Sequence, residues 1–184
     1  LLNSLTRPLG FKQFDAAASG EVLLPGERAP FHWQDARRQR LLSVCLLADA
    51  GNWLAFSEAD WSHALSQCDW SNALPIEDVG EFTVVCRLPN ERTTVFVGVD
   101  VQMHGAAMRV VLSEQPPTLA PYRIDNACSF PLLVSQTPCA ALQQPRVISE
   151  VPPCGTLPFA WEQLVTHPTL DLHVGQQRRQ ICLD

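Results

Sequence analysis

The 184-residue sequence has no C-x-x-C pair, no H-x-x-x-H or H-x-H pair and no glycine-rich phosphate loop. Those absences remove the short-range signatures of zinc, zincin and nucleotide sites. No apolar run approaches the ~18–20 residues of a membrane span. Positive charge is scarce: 13 Lys and Arg stand against 19 Asp and Glu, a net charge of −6. A chain-wide nucleic-acid footprint needs the opposite balance. Charged residues are only 17% of the total, and apolar residues are 46%. That composition folds and is too apolar for a disordered tail. There is no initiator methionine and no signal segment, so the sequence reads as a piece of a longer protein.

Seven cysteines are present, an odd number at scattered positions (45, 68, 86, 128, 139, 154 and 182). A secreted disulfide framework is more often even, so reduced, cytosolic cysteines are expected. The 15 prolines argue against long helices.

Short β-branched and apolar runs dominate the rest. Residues 41–47, 81–88, 93–101 and 107–112 read as strands, with 20–24, 52–56, 122–126, 131–135, 146–151 and 169–174 as further candidates. Gln102 to Gly105 joins a hairpin, and 115–121 is a proline-rich connector. One helix is expected. Ser57-Glu58-Ala59-Asp60 resembles a capping box, followed by Trp61, Ala64 and Leu65 at helical spacing. The class is therefore all-β, with at most one short helix.

The sequence repeats internally. Asn3, Pro8, Leu9 and Gln13 recur as Asn126, Pro131, Leu132 and Gln136, at an offset of 123. Pro25, Pro30, Phe31 and Trp33 recur as Pro153, Pro158, Phe159 and Trp161, at an offset of 128. A five-residue insertion reconciles the two offsets. Eight identities in fixed order exceed chance matching in a Pro- and Leu-rich chain. The division that follows is a first unit over 1–125, with its first strand truncated, and the first half of a second unit over 126–184.

Each repeated residue has a bland reading. A buried Asn can serve loop backbone that no ladder reaches, or it can order a strand edge that receives a peptide. Pro25, Phe31 and Trp33, like Pro153, Phe159 and Trp161, read as structural core. Gln13 and Gln136 read as partners of backbone at strand ends. His32 has Ala160 as its counterpart, so the repeat does not require it. Arg37, Arg38 and Arg40, and Arg178 and Arg179, read as solvated loops or as contacts for acidic headgroups. No catalytic residue, metal ligand or cofactor is assigned.

The run Tyr122-Arg123-Ile124-Asp125-Asn126, then Pro131-Leu132 and Gln136, then Pro153 and Pro158-Phe159-Ala160-Trp161, resembles the repeat of the adaptor-binding region of the chorein, or vacuolar-protein-sorting-thirteen, family. Asn3 to Trp33 looks like the same part of the preceding repeat. Trp70-Ser71 and Pro75-Ile76-Glu77-Asp78-Val79-Gly80 resemble the middle of one. The resemblance implies tandem β-sandwich repeats. It also implies a non-enzymatic module that binds Pro-x-Pro-type peptides of organelle adaptors, beside neighbouring repeats of its own chain. Such a module recruits a large cytoplasmic lipid-transfer protein to membrane contact sites. The characteristic repeat asparagine maps onto Asn126, and onto Asn3. Two other readings stand beside it: spacer repeats that bind nothing, and a carbohydrate-binding sandwich.

Overall fold

The computed structural model describes residues 1–16, 19–47, 53–70, 73–88, 93–137, 148–164, 168–175 and 177–182. Fourteen strands and one α-helix lie among them. The all-β class holds.

In the first copy, β1 (Leu2–Ser4), β2 (Leu9–Gln13), β3 (Glu21–Leu23), β4 (Leu41–Leu46) and β5 (Leu74–Pro75) are followed by β6 (Gly80–Arg87), β7 (Thr94–His104) and β8 (Ala107–Gln115). They form two four-stranded sheets, ordered β3-β2-β4-β5 and β1-β8-β7-β6. Period-two alternation sets which side chains meet between them. Leu9, Phe11, Leu42, Val44, Leu46 and Leu74 point inward from the first sheet. Val84, Cys86, Val97, Val99, Val101, Val110 and Leu112 meet them from the second. Burying each of these side chains stabilises by about 1.5–3 kcal/mol before ordering entropy is counted.

The outer face of the β3-β2-β4-β5 sheet is roofed. Helix α1 (Glu58–Ser66) begins on a complete capping box, with Ser57 as N-cap and Asp60 in the third position. Leu65, Ala64 and Trp61 pack on Cys45 and Leu47 of that face. The Trp70 indole N–H donates to the Leu65 carbonyl at 3.1 Å, and the Lys12 ammonium sits 4.6 Å above its ring. Gly10 is required beneath the roof. A Cβ there would lie 2.6 Å from both Cys45 Sγ and Leu65 Cδ2.

After a 3₁₀ turn over Pro117–Leu119, the second copy supplies β9 (Tyr122–Asp125), β10 (Leu132–Gln136), β11 (Ser149–Val151), β12 (Thr156–Phe159), β13 (Thr169–Val174) and β14 (Gln177–Cys182). One sheet runs β11-β10-β13-β14, and β12 pairs antiparallel with β9. Leu170, Leu172 and Val174 pack on one side of β13, in two small cores with Val134, Phe159 and Trp161. The second sheet of a full sandwich has no counterpart among the described residues here.

Several expectations change. Residues 53–55 form a 3₁₀ turn, not a strand, because the segment leads directly into the N-cap of α1. Arg178 and Arg179 lie on β14 and not in a loop. The β7–β8 hairpin turns at Gly105-Ala106, and β7 runs on through residues 102–104, which the strand pattern placed in the connection. Leu9–Gln13 and Thr156–Phe159 are strands that propensity hides, since one holds a glycine and the other a proline. In the 146–151 candidate the strand is 149–151, and 146 and 147 lie outside the described residues. Cys139 lies outside them too.

Candidate functional site

The repeated residues carry matched bonds. Asn3 is fully buried, and its Nδ2 donates to the carbonyls of Arg7 (3.0 Å) and Leu23 (2.8 Å). Its Oδ1 accepts from the Leu5 N–H at 3.0 Å. Asn126 Nδ2 donates to the carbonyls of Phe130 (2.9 Å), Val151 (3.2 Å) and Pro152 (2.9 Å), and its Oδ1 accepts from the Cys128 N–H at 2.9 Å. Arg7 and Phe130 differ by the same offset as the asparagines, and Leu23 and Val151 by the second offset. The main chain agrees: Asn3 N–H donates to Glu27 and Asn126 N–H to Gly155. Each Asn thus ties the end of its own strand to two loops.

The glutamines do the same at the other end. Gln13 Nε2 donates to the Asp35 carbonyl and its Oε1 accepts from the Asp35 N–H, both at 2.8 Å. Gln136 exchanges the same two bonds with Gln163, at 2.8 and 3.0 Å.

The aromatic pairs also match. Phe31 and Trp33 rings meet edge to face at 5.0 Å and 85°, and Phe159 and Trp161 at 5.0 Å and 87°. Their surroundings differ. Phe159 and Trp161 are buried, whereas Phe31 and Trp33 are half-buried at the wall of a groove. Pro25 is half-buried and Pro153 exposed, so these two prolines shape a turn rather than fill a core. The next residue in each turn has a left-handed backbone: Gly26 at φ 78° and Cys154 at φ 50°.

Trp161 has a further role. It is the parallel partner of Val84, and the Val85 N–H donates to its carbonyl at 3.1 Å. The second copy's Phe-x-Trp element therefore adds to the edge of β6. No sequence signal announced this contact, because nothing local in Phe159-Ala160-Trp161 distinguishes it from Phe31-His32-Trp33.

The groove beside Phe31 and Trp33 encloses about 710 Å³. One wall is the 28–33 segment, and the other is the start of β8, Ala107 to Val110. β1 pairs with β8 in parallel only over Val111–Ser113. Ala29 exchanges two main-chain bonds with Leu1, at 2.7 and 3.1 Å. The 28–33 segment holds one bridge, Arg28 to Leu2, and is not itself a strand; the groove opens beside the start of β1. In the second copy β9 runs along the matching wall, with Tyr122 opposite Phe159 and Arg123 opposite Pro158. The Tyr122 ring lies 5.8 Å from that of Trp161.

Three of the five arginines in the basic patches are ion-paired. Arg38 bonds Asp15 at 2.7 Å, Arg40 bonds Glu77 at 3.1 Å, and Arg178 bonds Asp171 at 2.7 Å. Burial opposes ionisation of Asp171, but hydrogen bonds from Arg178, Thr137 and Gln180 outweigh it and hold the carboxyl below its usual range. Among the described residues no group of three or more His, Cys, Asp or Glu is arranged to hold a metal. None of their helices is long and apolar enough to cross a membrane.

A repeated strand frame stapled by buried Asn and Gln defines a tandem all-β module. The profile of the family described as "Vacuolar-sorting associated protein 13, adaptor binding domain" matches residues 1–163, and the chain belongs to that family. It is 28% identical over 155 residues to human "Intermembrane lipid transfer protein VPS13D", covering 82% of this chain and 3% of that protein. It is 23% identical over 177 residues to "Intermembrane lipid transfer protein vps13D" of Dictyostelium discoideum, covering 95% of this chain and 3% of the relative. The protein tipC of the same organism is 31% identical over 84 residues, or 44% of this chain and 2% of tipC. The chain thus spans a few hundredths of the length of these relatives.

Proposed function

We propose that this chain is a non-enzymatic, peptide-receiving part of an adaptor-binding region. It docks proline-containing motifs of organelle adaptor proteins and so brings a lipid-transfer protein, from the cytoplasmic side, to membrane contact sites. The observation that supports the reading is the match of the adaptor-binding family's profile over residues 1–163. An extended segment adds to such a module at a sheet edge, by strand addition. Strand β9 on Pro158–Phe159 supplies the pattern, with an aromatic ring laid on the Phe-x-Trp pair.

A Pro-x-Pro motif suits such an edge. In an extended strand, residues i and i+2 aim their backbone nitrogens the same way. Both prolines then lack N–H groups on one side only, and the middle residue bonds on the other.

The test is calorimetric titration of the 184-residue chain with a synthetic Pro-x-Pro peptide. Saturable binding that falls at least ~10-fold, equivalent to ~1.4 kcal/mol, when alanine replaces both prolines of the peptide is the expected result. No binding to a folded chain, or binding indifferent to the prolines, overturns the assignment.

The spacer reading draws on a different observation. The asparagine side chains direct their polar atoms at their own loops. We therefore assign Asn3 and Asn126 a scaffolding role and place peptide recognition elsewhere on the sheets. From the pairing of β9 with β12 we also propose that the second unit starts at about 122 rather than 126. Neighbouring repeats of the same chain associate, in this reading, through contacts of the Trp161–Val85 kind.

A further inference from the structure

Beneath helix α1 lie two sulfur atoms that the repeated frame does not explain. Cys45 is fully buried on the outer face of β4, opposite Gly10. Its counterpart in the second copy is His173, opposite Leu133, so the fold tolerates other groups there. Cys68 follows the C-terminal end of α1 and is half-buried. Its Sγ lies 3.3 Å from the Ala64 carbonyl and 3.9 Å from the carbonyl of Leu46, the residue next to Cys45. The two thiols are hydrogen-bond partners of each other. Both belong to the cluster that seats the helix, with Leu47, Leu65, Trp61 and Trp70.

We propose that Cys45 and Cys68 form a dithiol site that closes to a disulfide by exchange with a small-molecule disulfide, pinning helix α1 to strand β4. The two groups come from different elements, one strand and one helix end, yet share a single apolar pocket. A thiol pair so placed is a modification site and a seat for soft, two-coordinate thiophilic reagents.

The order of events follows from exposure. Solvent reaches the half-buried Cys68, whereas Cys45 is sealed under Leu65. Burial, and secondly the hydrogen bond with Cys68, push the Cys45 thiol well up, so it is a poor first nucleophile. Cys68 thiolate attacks one sulfur of the reagent disulfide, forming a mixed disulfide and releasing one thiolate. Cys45 then loses its proton to solvent and attacks the Cys68 sulfur, releasing the second thiolate. Two protein thiols are oxidised to one disulfide, and one reagent disulfide is reduced to two thiols. Cys86 lies on the inner face of β6, across the sheet from this pocket, and takes no part.

The experiment uses the whole reduced chain, incubated with oxidised glutathione, quenched by alkylation and cut with chymotrypsin. The expected product is a linked Cys45–Cys68 pair of peptides, absent in Cys68→Ser and present in Cys86→Ser. A chain that carries glutathione on Cys68 but never links to Cys45 overturns the proposal. So does a link that uses Cys86. A second measurement does not depend on the exchange step. Phenylarsine oxide, which bridges two thiols, should raise the melting temperature of the wild-type chain and leave that of Cys45→Ser unchanged. Equal shifts in both, or none in either, also overturn it.

Discussion

The N–H of Val85 donates to the carbonyl of Trp161 at 3.1 Å, across the junction of the two copies. Val85 stands opposite Phe96 in the β6–β7 ladder, and its N–H points away from β7 toward Trp161. Ladder donors and junction donors therefore alternate along β6.

That alternation makes the junction separable from the sandwich. Val85→Pro deletes the donor aimed at Trp161 and leaves the bonds between β6 and β7 in place. Hydrogen exchange should quicken for amides of β9 and β12, while β7 and β8 keep wild-type protection. Loss of protection throughout β7 would show that the substitution had broken the sandwich instead.

Asn126→Ala removes four side-chain hydrogen bonds and strands three carbonyls and one N–H. Urea unfolding should show a loss of about 2–4 kcal/mol, since buried groups left unpaired cost more than a bond contributes. Asn126→Asp should be no better at neutral pH. A carboxylate there would face the carbonyls of Phe130, Val151 and Pro152 without a proton to offer.

Cys154 holds φ 50°, in the left-handed region that disfavours a side chain, at the place where the first copy has Gly26. Cys154→Gly should stabilise by about 1 kcal/mol, and Gly26→Ala should destabilise by a similar amount. A Cβ at Gly26 would meet nothing within 4 Å, so only backbone strain is at issue. Paired thermal melts of the two variants check the opposed signs.

Asp171 governs the acid limit of the second copy. Its carboxyl is held below the usual range, so its contribution is complete above the unfolded pKa of about 3.9 and is lost as pH falls through the lower folded value. Asp171→Asn should flatten the stability profile in that acid window. The difference between the two proteins should stay constant from pH 6 to 8, as followed by urea midpoints at each pH.

How much of this could be read beforehand depended on whether the cause was local. The capping box at Ser57 and Asp60 is a three-residue event, and it was legible. So was the frame shared by Asn3 and Asn126, because the fold needs the same amide in the same corner twice. The strand Leu9–Gln13 was not. Its Gly10 looks like a breaker until α1 is known to press on that position from ten strand-lengths of sequence away. The groove was hidden for a similar reason. Phe31-x-Trp33 and Phe159-x-Trp161 are identical in pattern, and only pairing partners distant in sequence leave one pair half-buried and bury the other.

The Trp161–Val85 bond also has a mechanical meaning. Two bodies joined only by the tether at 116–121 can swivel about it, as a door does on one hinge pin. A second attachment displaced from the first removes that rotation and sets a fixed angle between them. If every junction in a longer series were pinned at two points, the angles would add with a constant sense. Curvature would then be written into the pitch of a single strand-edge contact.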